Sequence, residues 1–225
     1  MWKIPSRNNQ GEKLLLKKYK QYRKLSRELA EKILERYTDE KSLKTVSQLM
    51  GIREGSTLVL ESEDEVVFLM DFSLFEYLVE GKNFIQRYLE EQAEISETER
   101  SLLQAKLSNY TSLFEIVEAN GKTARVKLKN LLESSPEIPI MDINLSRTAR
   151  PGLLMFTRII PYPDFNMTSG MFCLFEAGTA KTLLKRFKVM KKRVKSDSES
   201  IQRFIAFFKL NRTEGLATGT IDTTV

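Results

Sequence analysis

The sequence contains no histidine among its 225 residues. Histidine is the side chain that ordinarily titrates between pH 5 and 8, so every His-based triad, His–Cys dyad and His-containing metal site is excluded. An enzyme built on this chain would have to use carboxylates, lysine, tyrosine or its one cysteine. We therefore expect a binding protein rather than an enzyme, without a cofactor and without a metal.

Cysteine is almost absent, since Cys173 is the only one in the chain. A single cysteine excludes an intramolecular disulfide and suggests a reducing compartment. A nucleophilic cysteine needs a lowered pKa and an adjacent base, whereas residues 170–175 around Cys173 are apolar. We predict that Cys173 is a small buried side chain.

Long hydrophobic runs are also missing. The longest nearly uncharged stretch, residues 151–156, is far shorter than the roughly 20 residues that a membrane-spanning helix needs. The N-terminus turns polar after residue 5 and has no apolar stretch of signal-peptide length. We expect a cytoplasmic protein with no membrane insertion.

Helical periodicity dominates the first half of the chain. Apolar residues recur at three- and four-residue steps over residues 12–37, and a second helix over 41–50 should end at Gly51. The short apolar runs 57–60 and 65–69 predict a hairpin. Ser73 is the expected cap of a helix over 74–93, and the Ser96–Glu99 capping box predicts another helix that extends to about residue 108.

Strand patterns dominate from residue 111 to residue 176. Residues 112–118 and 123–129 alternate around Asn120 and Gly121, a favoured pair for a type I′ turn, and further strands are expected near 138–143, 153–160 and 171–175. Helices over 179–194 and 201–210 follow, the second after a capping box at residues 196–199.

These patterns predict an α+β fold in which a small bent antiparallel sheet or barrel is surrounded by N- and C-terminal helices. We divide the chain into a helical region (1–52), an α+β domain (53–215, with a β-rich core at about 111–176) and a flexible tail (216–225).

The net charge of +6 is unevenly distributed. Residues 13–27 contain seven basic residues and no acid, and residues 179–195 contain eight basic residues and no acid. Residues 54–99 contain thirteen acids but only Lys82 and Arg87 as bases. Two basic helices therefore flank an acidic middle.

The basic helices predict contact with a nucleic acid or an acidic protein, because each phosphate neutralised releases counterions. Tyr19 and Tyr22 lie within the first basic run and are candidates for stacking on bases. The candidate binding residues are Lys17, Lys18, Lys20, Arg23, Lys24, Lys185, Arg186, Lys188, Lys191, Lys192 and Arg193.

Several alternatives stay open at this point. The favoured alternative is that the basic runs are solvated helix faces or surfaces docked on the acidic middle, and a further alternative is that they are helices at an anionic membrane surface. The chain is alternatively a structural or assembly factor, including a homo-oligomer, or an enzyme that uses carboxylates. For the acids Glu61, Glu63, Asp64, Glu65 and Asp71 we favour a solvated turn over a metal site.

Residues 102–175 resemble an uncharacterised β-rich domain that often accompanies SEC-C zinc motifs in bacterial proteins. The stretches that carry the resemblance are residues 112–118, 126–132 and 145–161, and the last of them is residues 169–170. The resemblance implies a β-rich fold and no defined activity. Because the Cys-rich zinc motif is absent from this sequence, zinc binding is not carried over.

Overall fold

The computed structural model describes residues 7–92 and 94–216. The helices are α1 (Arg7–Tyr37), α2 (Glu40–Met50), α3 (Glu65–Phe75), α4 (Phe84–Glu91), α5 (Glu97–Leu107), α6 (Leu145–Thr148), α7 (Ala180–Arg193) and α8 (Glu199–Glu214). The strands are β1 (Arg53–Glu54), β2 (Thr57–Leu58), β3 (Tyr110–Asn120), β4 (Arg125–Asn130), β5 (Ile138–Met141), β6 (Leu154–Pro161) and β7 (Asn166–Phe175). The expected tail, 216–225, lies outside these residues except for Leu216, whose amide donates to the Leu174 carbonyl.

The last five strands form a closed barrel in the order β3-β4-β5-β7-β6, with β6 paired back to β3. All pairings are antiparallel except the one between β5 and β7, which is parallel. The register between β3 and β4 shifts between Ile116 and Glu118. This irregularity bends β3, which allows the long strand to pair with β4 on one side and β6 on the other. The α+β class and the barrel are confirmed.

Three predicted helix boundaries are also confirmed. Gly51 follows α2 in the left-handed conformation, with φ of 72°. Its amide donates hydrogen bonds to the carbonyls of Ser47 and Gln48 in the last turn of the helix. The Ser96 hydroxyl accepts from the amide of Glu99 while the Glu99 carboxylate accepts from the amide of Ser96, which begins α5. α1 ends at Tyr37, as its periodicity indicates.

The predicted hairpin over residues 57–69 is wrong. Thr57–Leu58 pairs with Arg53–Glu54, and the second apolar run is the start of helix α3. A short run that is apolar on every side has no periodicity that separates a strand from a buried helix. Ser73 therefore lies inside α3, where its hydroxyl donates to the Leu69 carbonyl, and Asn83 instead caps the shorter helix α4.

Two other local predictions are wrong. The β3–β4 connection is a four-residue loop, 121–124, in which Ala124 has a φ of 54° and Asn120 is still paired in the strand. A type I′ turn at Asn120 and Gly121 would need positive φ at both residues, and neither has it. Helix α8 is capped by Ser198 rather than Ser196, because the Ser198 hydroxyl accepts from the amide of Ile201.

The core has three parts. The barrel interior holds inward-facing side chains from alternate positions of the strands, such as Phe114, Val126, Leu128 and Met155. One outer cluster joins α2, α3, α7 and α8 to the outside of the barrel, and a second joins α1, α3, α4 and α5 to its other end. In the described part of the chain, no helix is both long enough and apolar enough to span a membrane.

Candidate functional site

The two basic helices are built into different parts of the core. Tyr19, Leu29 and Ile33 of α1 belong to the cluster that contains α4 and α5, whereas Leu183 and Phe187 of α7 belong to the cluster that contains α8. The predicted binding residues therefore form two separate surfaces, and each is considered by itself.

A cavity of about 840 Å³ lies between α1 and the barrel; we call it the α1 groove. Helix α1 forms one wall, and β7 together with the segment around α6 forms the other. It is lined by Tyr19, Lys20, Arg23, Lys24, Arg27, Asp142, Ile143, Asn144, Leu145, Thr148, Ala149, Leu153, Thr168, Gly170, Phe172 and Leu174. The groove thus brings three predicted binding residues, Lys20, Arg23 and Lys24, onto one wall.

Arg23 attaches α1 to the barrel. Its guanidinium donates to the Asp142 carboxylate at 2.7 Å and to the Thr168 carbonyl at 2.8 Å. Burial disfavours the charged form, but the adjacent Tyr19 and Asp142 outweigh it and raise the pKa of Arg23. The Arg23 charge is compensated within the protein, so this residue positions the helix.

Three cations of the groove remain available to a ligand. Lys20, Lys24 and Arg27 are exposed and are spaced at i, i+4 and i+7, which places them along one side of α1. Lys20 forms no ion pair within the described residues. The charged atoms of Lys24 and Arg27 lie 3.8 Å from carboxylates one turn further on, and exposed pairs of this kind contribute little.

The other predicted residues of α1 have different environments. Lys17 is exposed, and Lys18 forms an ion pair with Asp164, which raises the Lys18 pKa. Tyr19 is only 4% exposed because its ring packs edge-on against Phe165. The prediction that Tyr19 stacks on bases is therefore wrong.

The Tyr22 ring is half-buried against the same barrel loop. Its centroid lies 5.4 Å from that of Tyr162 and 5.7 Å from that of Phe165. This ring too is used to dock α1, so the aromatic residues of the basic run serve the packing of the helix.

The predicted residues of α7 lie on a helix surface with carboxylates nearby. Lys185, Lys188, Lys192 and Arg193 are exposed. Arg186 is 2.5 Å from a Glu214 oxygen, and Lys191 is 2.8 Å from a Glu199 oxygen. The adjoining cavity between α7 and α8 is lined by Glu133 and Glu199 as well as by cations, which makes it less favourable for a phosphate than the α1 groove.

The acidic middle pairs with residues that sequence reasoning did not single out. The expected solvated turn is wrong for Glu65 and Asp71, which are 2% and 6% exposed. Glu65 accepts two hydrogen bonds of 2.7 Å from Arg212. Asp71 is 2.8 Å from the buried guanidinium of Arg158. Burial of these carboxylates is possible because each meets an arginine.

Arg158 is the centre of a buried polar network. Besides Asp71, it donates to Glu76 at 2.8 Å and to the side-chain oxygen of Asn109. The Ser200 hydroxyl donates to Glu76 at 2.9 Å. Burial opposes the charged form of Arg158, but the two carboxylates outweigh it and raise its pKa.

Arg27 lies in the first basic run but was not among the predicted binding residues. Two buried cations were also missed at the level of sequence, and both left a signal. Arg158 is the only charge in the apolar strand 153–160. Lys106 follows Leu102 and Leu103 at four- and three-residue spacing, which places it on the buried side of α5. A cation at a position that the pattern assigns to the core indicates a buried charge.

The prediction for Cys173 is confirmed. The side chain is fully buried, its Sγ lies 3.8 Å from the Phe207 carbonyl, and burial raises the pKa of the thiol well above its ordinary value. Because the thiolate is the reactive form, this cysteine is unsuited to nucleophilic chemistry.

Comparison with protein-family models matches residues 13–221 to a family of unknown function, DUF7986. The match covers both basic helices and the whole barrel, and it agrees with the expectation of an uncharacterised domain. An association with SEC-C motifs stays a prediction. No curated protein and no solved structure matches the chain.

Proposed function

Because the chain belongs to the family of unknown function DUF7986, whose description names no activity, we propose its function from the geometry of the α1 groove. We propose a non-catalytic protein that binds single-stranded nucleic acid in this groove. The observation that carries the proposal is the row of exposed cations along one wall of the groove, opposite a wall of apolar side chains. These cations are Lys20, Lys24 and Arg27.

The charge balance of the groove supports a polyanionic ligand. Four cations line it against one carboxylate, Asp142, which is already paired with Arg23. The remaining cations lie one helical turn apart, so they can contact successive phosphates of an extended strand. Each contact releases counterions, which favours binding at low salt.

The opposite wall supports a ligand with exposed bases. Leu153, Phe172 and Leu174 line it, and the Phe172 ring is half-buried. Proteins that bind single strands combine a basic groove for the backbone with apolar or aromatic side chains for the faces of the bases. A duplex buries those faces, so this wall favours a single strand.

The barrel connectivity is that of an OB fold: five strands with a parallel pairing of the third and fifth, and a helix between the third and fourth. OB folds often bind oligonucleotides beside the loop that joins their last two strands. Here that loop, 162–165, is packed under Tyr19 and Tyr22 of α1. Because α1 covers this loop, we place the ligand in the groove beside α1. The OB-like connectivity by itself assigns no function.

The test compares two triple variants with the same spacing and the same change in charge. Lys20→Gln, Lys24→Gln and Arg27→Gln remove the groove cations, whereas Lys181→Gln, Lys185→Gln and Lys188→Gln remove exposed cations at equivalent steps on α7. Affinity for a labelled 15-nucleotide single strand is measured by fluorescence anisotropy at several salt concentrations.

We expect the groove variant to bind at least tenfold more weakly and to reduce the slope of log affinity against log salt by about 2, because three phosphate contacts are lost. The α7 variant should stay within twofold of the wild type. A wild type that does not bind at low salt, or an affinity lost only in the α7 variant, would contradict the groove as the site.

A further inference from the structure

Another cavity, of about 350 Å³, lies between α1, α3 and β7 and shares Arg23, Arg27 and Gly170 with the lining of the α1 groove. Its size falls in the range of small-molecule sites. The walls are mainly apolar, with Lys106 of α5 among them. The apolar lining residues are Ala30, Leu34, Val67, Met70, Leu74, Phe75 and Met171.

Lys106 is buried in this cavity without an acceptor. The residue is 3% exposed, and its amine lies 5.6 Å from the centre of the Phe75 ring. Within the described residues, the amine forms no hydrogen bond and no ion pair. An ammonium group has three donors, so burying it in this state is unfavourable unless something supplies an acceptor.

Of the two arginines that line the cavity, Arg23 is paired within the protein, whereas Arg27 is exposed and has only a weak surface pair with Glu31. Arg23 is bonded to Asp142, and Arg27 lies 3.8 Å from Glu31.

The buried carboxylate Asp71 is paired with Arg158. Arg158 is shared by two carboxylates, Asp71 and Glu76, and Lys106 is the charged lining residue that forms no ion pair within the described structure.

The titration of Lys106 agrees with this arrangement. Burial lowers its pKa to about 8, Asp71 opposes that shift, and Arg23 and Arg158 add to it. At pH 7 the amine is still mostly protonated, so it is a cation in an apolar cavity.

We propose that this cavity binds a small amphipathic carboxylate, with the carboxylate on the Lys106 amine and the alkyl chain along α1 and α3. A carboxylate supplies the hydrogen-bond acceptor that the Lys106 amine lacks, whereas a doubly charged phosphate would place more negative charge beside Asp71. Ala30, Leu34 and Leu74 supply the wall for the chain, and the exposed Val67 and Met70 lie at the entrance. The assignment is independent of nucleic-acid binding in the α1 groove.

Isothermal titration of the full chain with octanoate, and with octanol as the uncharged analogue, tests the proposal. Octanoate should bind at pH 7 at least tenfold more tightly than octanol. The charged side chains that line the cavity besides Lys106 are Arg23, Arg27, Glu31 and Asp71. Octanoate stays ionised from pH 7 to 9. Its affinity should therefore fall about tenfold over this interval as Lys106 loses its proton.

Lys106→Met should weaken octanoate binding at least tenfold and leave octanol unaffected, and Lys44→Met, at an exposed site on α2, should change neither. Equal affinities of the wild type for octanoate and octanol, or no binding of octanoate, would overturn the proposal. If Lys106→Met fails to fold by circular dichroism, the comparison of octanoate with octanol and the pH dependence in the wild type still decide it.

Discussion

At the scale of single residues, Arg158 and Lys106 show two outcomes of burying a cation. Arg158 meets two carboxylates at 2.8 Å, and its pKa is raised. Lys106 meets an aromatic ring instead of a carboxylate, and burial lowers its pKa to about 8. The free energy of folding should therefore depend on pH through Lys106.

The pKa of Lys106 falls from 10.5 to about 8 on folding. Below pH 8 both states are protonated and the full cost of burying the charge lowers stability. Between pH 8 and 10.5 only the unfolded state keeps the proton, so stability rises with pH. We expect the free energy of unfolding of the wild type to increase by about 2 kcal/mol relative to Lys106→Met between pH 7 and 9.5.

Urea unfolding at both pH values measures that difference. Lys44→Met serves as the control, because it removes an exposed lysine and should leave the pH dependence of the wild type unchanged. A difference between wild type and Lys106→Met that is the same at both pH values would show that Lys106 has an ordinary pKa in the folded protein.

At the scale of elements, the effect of a glycine depends on whether it ends a helix or lies within one, and α1 and α2 contain one example of each. Gly51 ends α2 with a φ of 72°, a conformation that a side chain disfavours. Gly11 lies within α1, and no atom lies within 4 Å of the position that a methyl group would occupy there. The same substitution should thus have opposite effects at the two positions.

Gly51→Ala should lower the free energy of unfolding by about 1 kcal/mol, because alanine is strained in the left-handed region. Gly11→Ala should raise it by about 0.5–1 kcal/mol, because alanine is the better helix former. Chemical denaturation of the two variants gives both values. Stabilisation by Gly51→Ala would mean that α2 does not end in the left-handed conformation.

At the scale of the whole molecule, the network around Arg158 connects the barrel to the helices. Arg158 belongs to β6, Asp71 lies in α3, Glu76 directly follows it, and Ser200 lies in α8. The ion pairs therefore hold strands and helices from distant parts of the sequence in one arrangement.

Arg158→Met should reduce the free energy of unfolding by about 3–5 kcal/mol, because it leaves two buried carboxylates without a cation. Lys82→Met, which removes an ion pair with Glu90 whose side chains are about half exposed, should cost less than about 1 kcal/mol. Urea unfolding monitored by circular dichroism compares them. Similar losses in the two variants would indicate that the Arg158 network contributes no more than a surface pair.

The sequence predicted those features that depend on neighbours in the chain. Alternation identified the barrel strands, and the count of charges identified the basic run over residues 13–27 that contains Lys20, Lys24 and Arg27. It failed at α3, where apolar residues on every side remove the periodicity. It also missed Asp142, because this carboxylate reaches Arg23 over a separation of 119 residues.

The sequence by itself determined the α+β class, the absence of histidine chemistry, the burial of Cys173 and the separation of charge into two basic helices around an acidic middle. The tertiary structure decided which charges are available to a ligand. Arg23, Glu65 and Asp71 are neutralised by partners far away in the chain, whereas Lys20 and Lys106 have no such partner within the described residues. The pairing of a charge depends on distances across the fold, and local patterns of sequence carry no record of those distances.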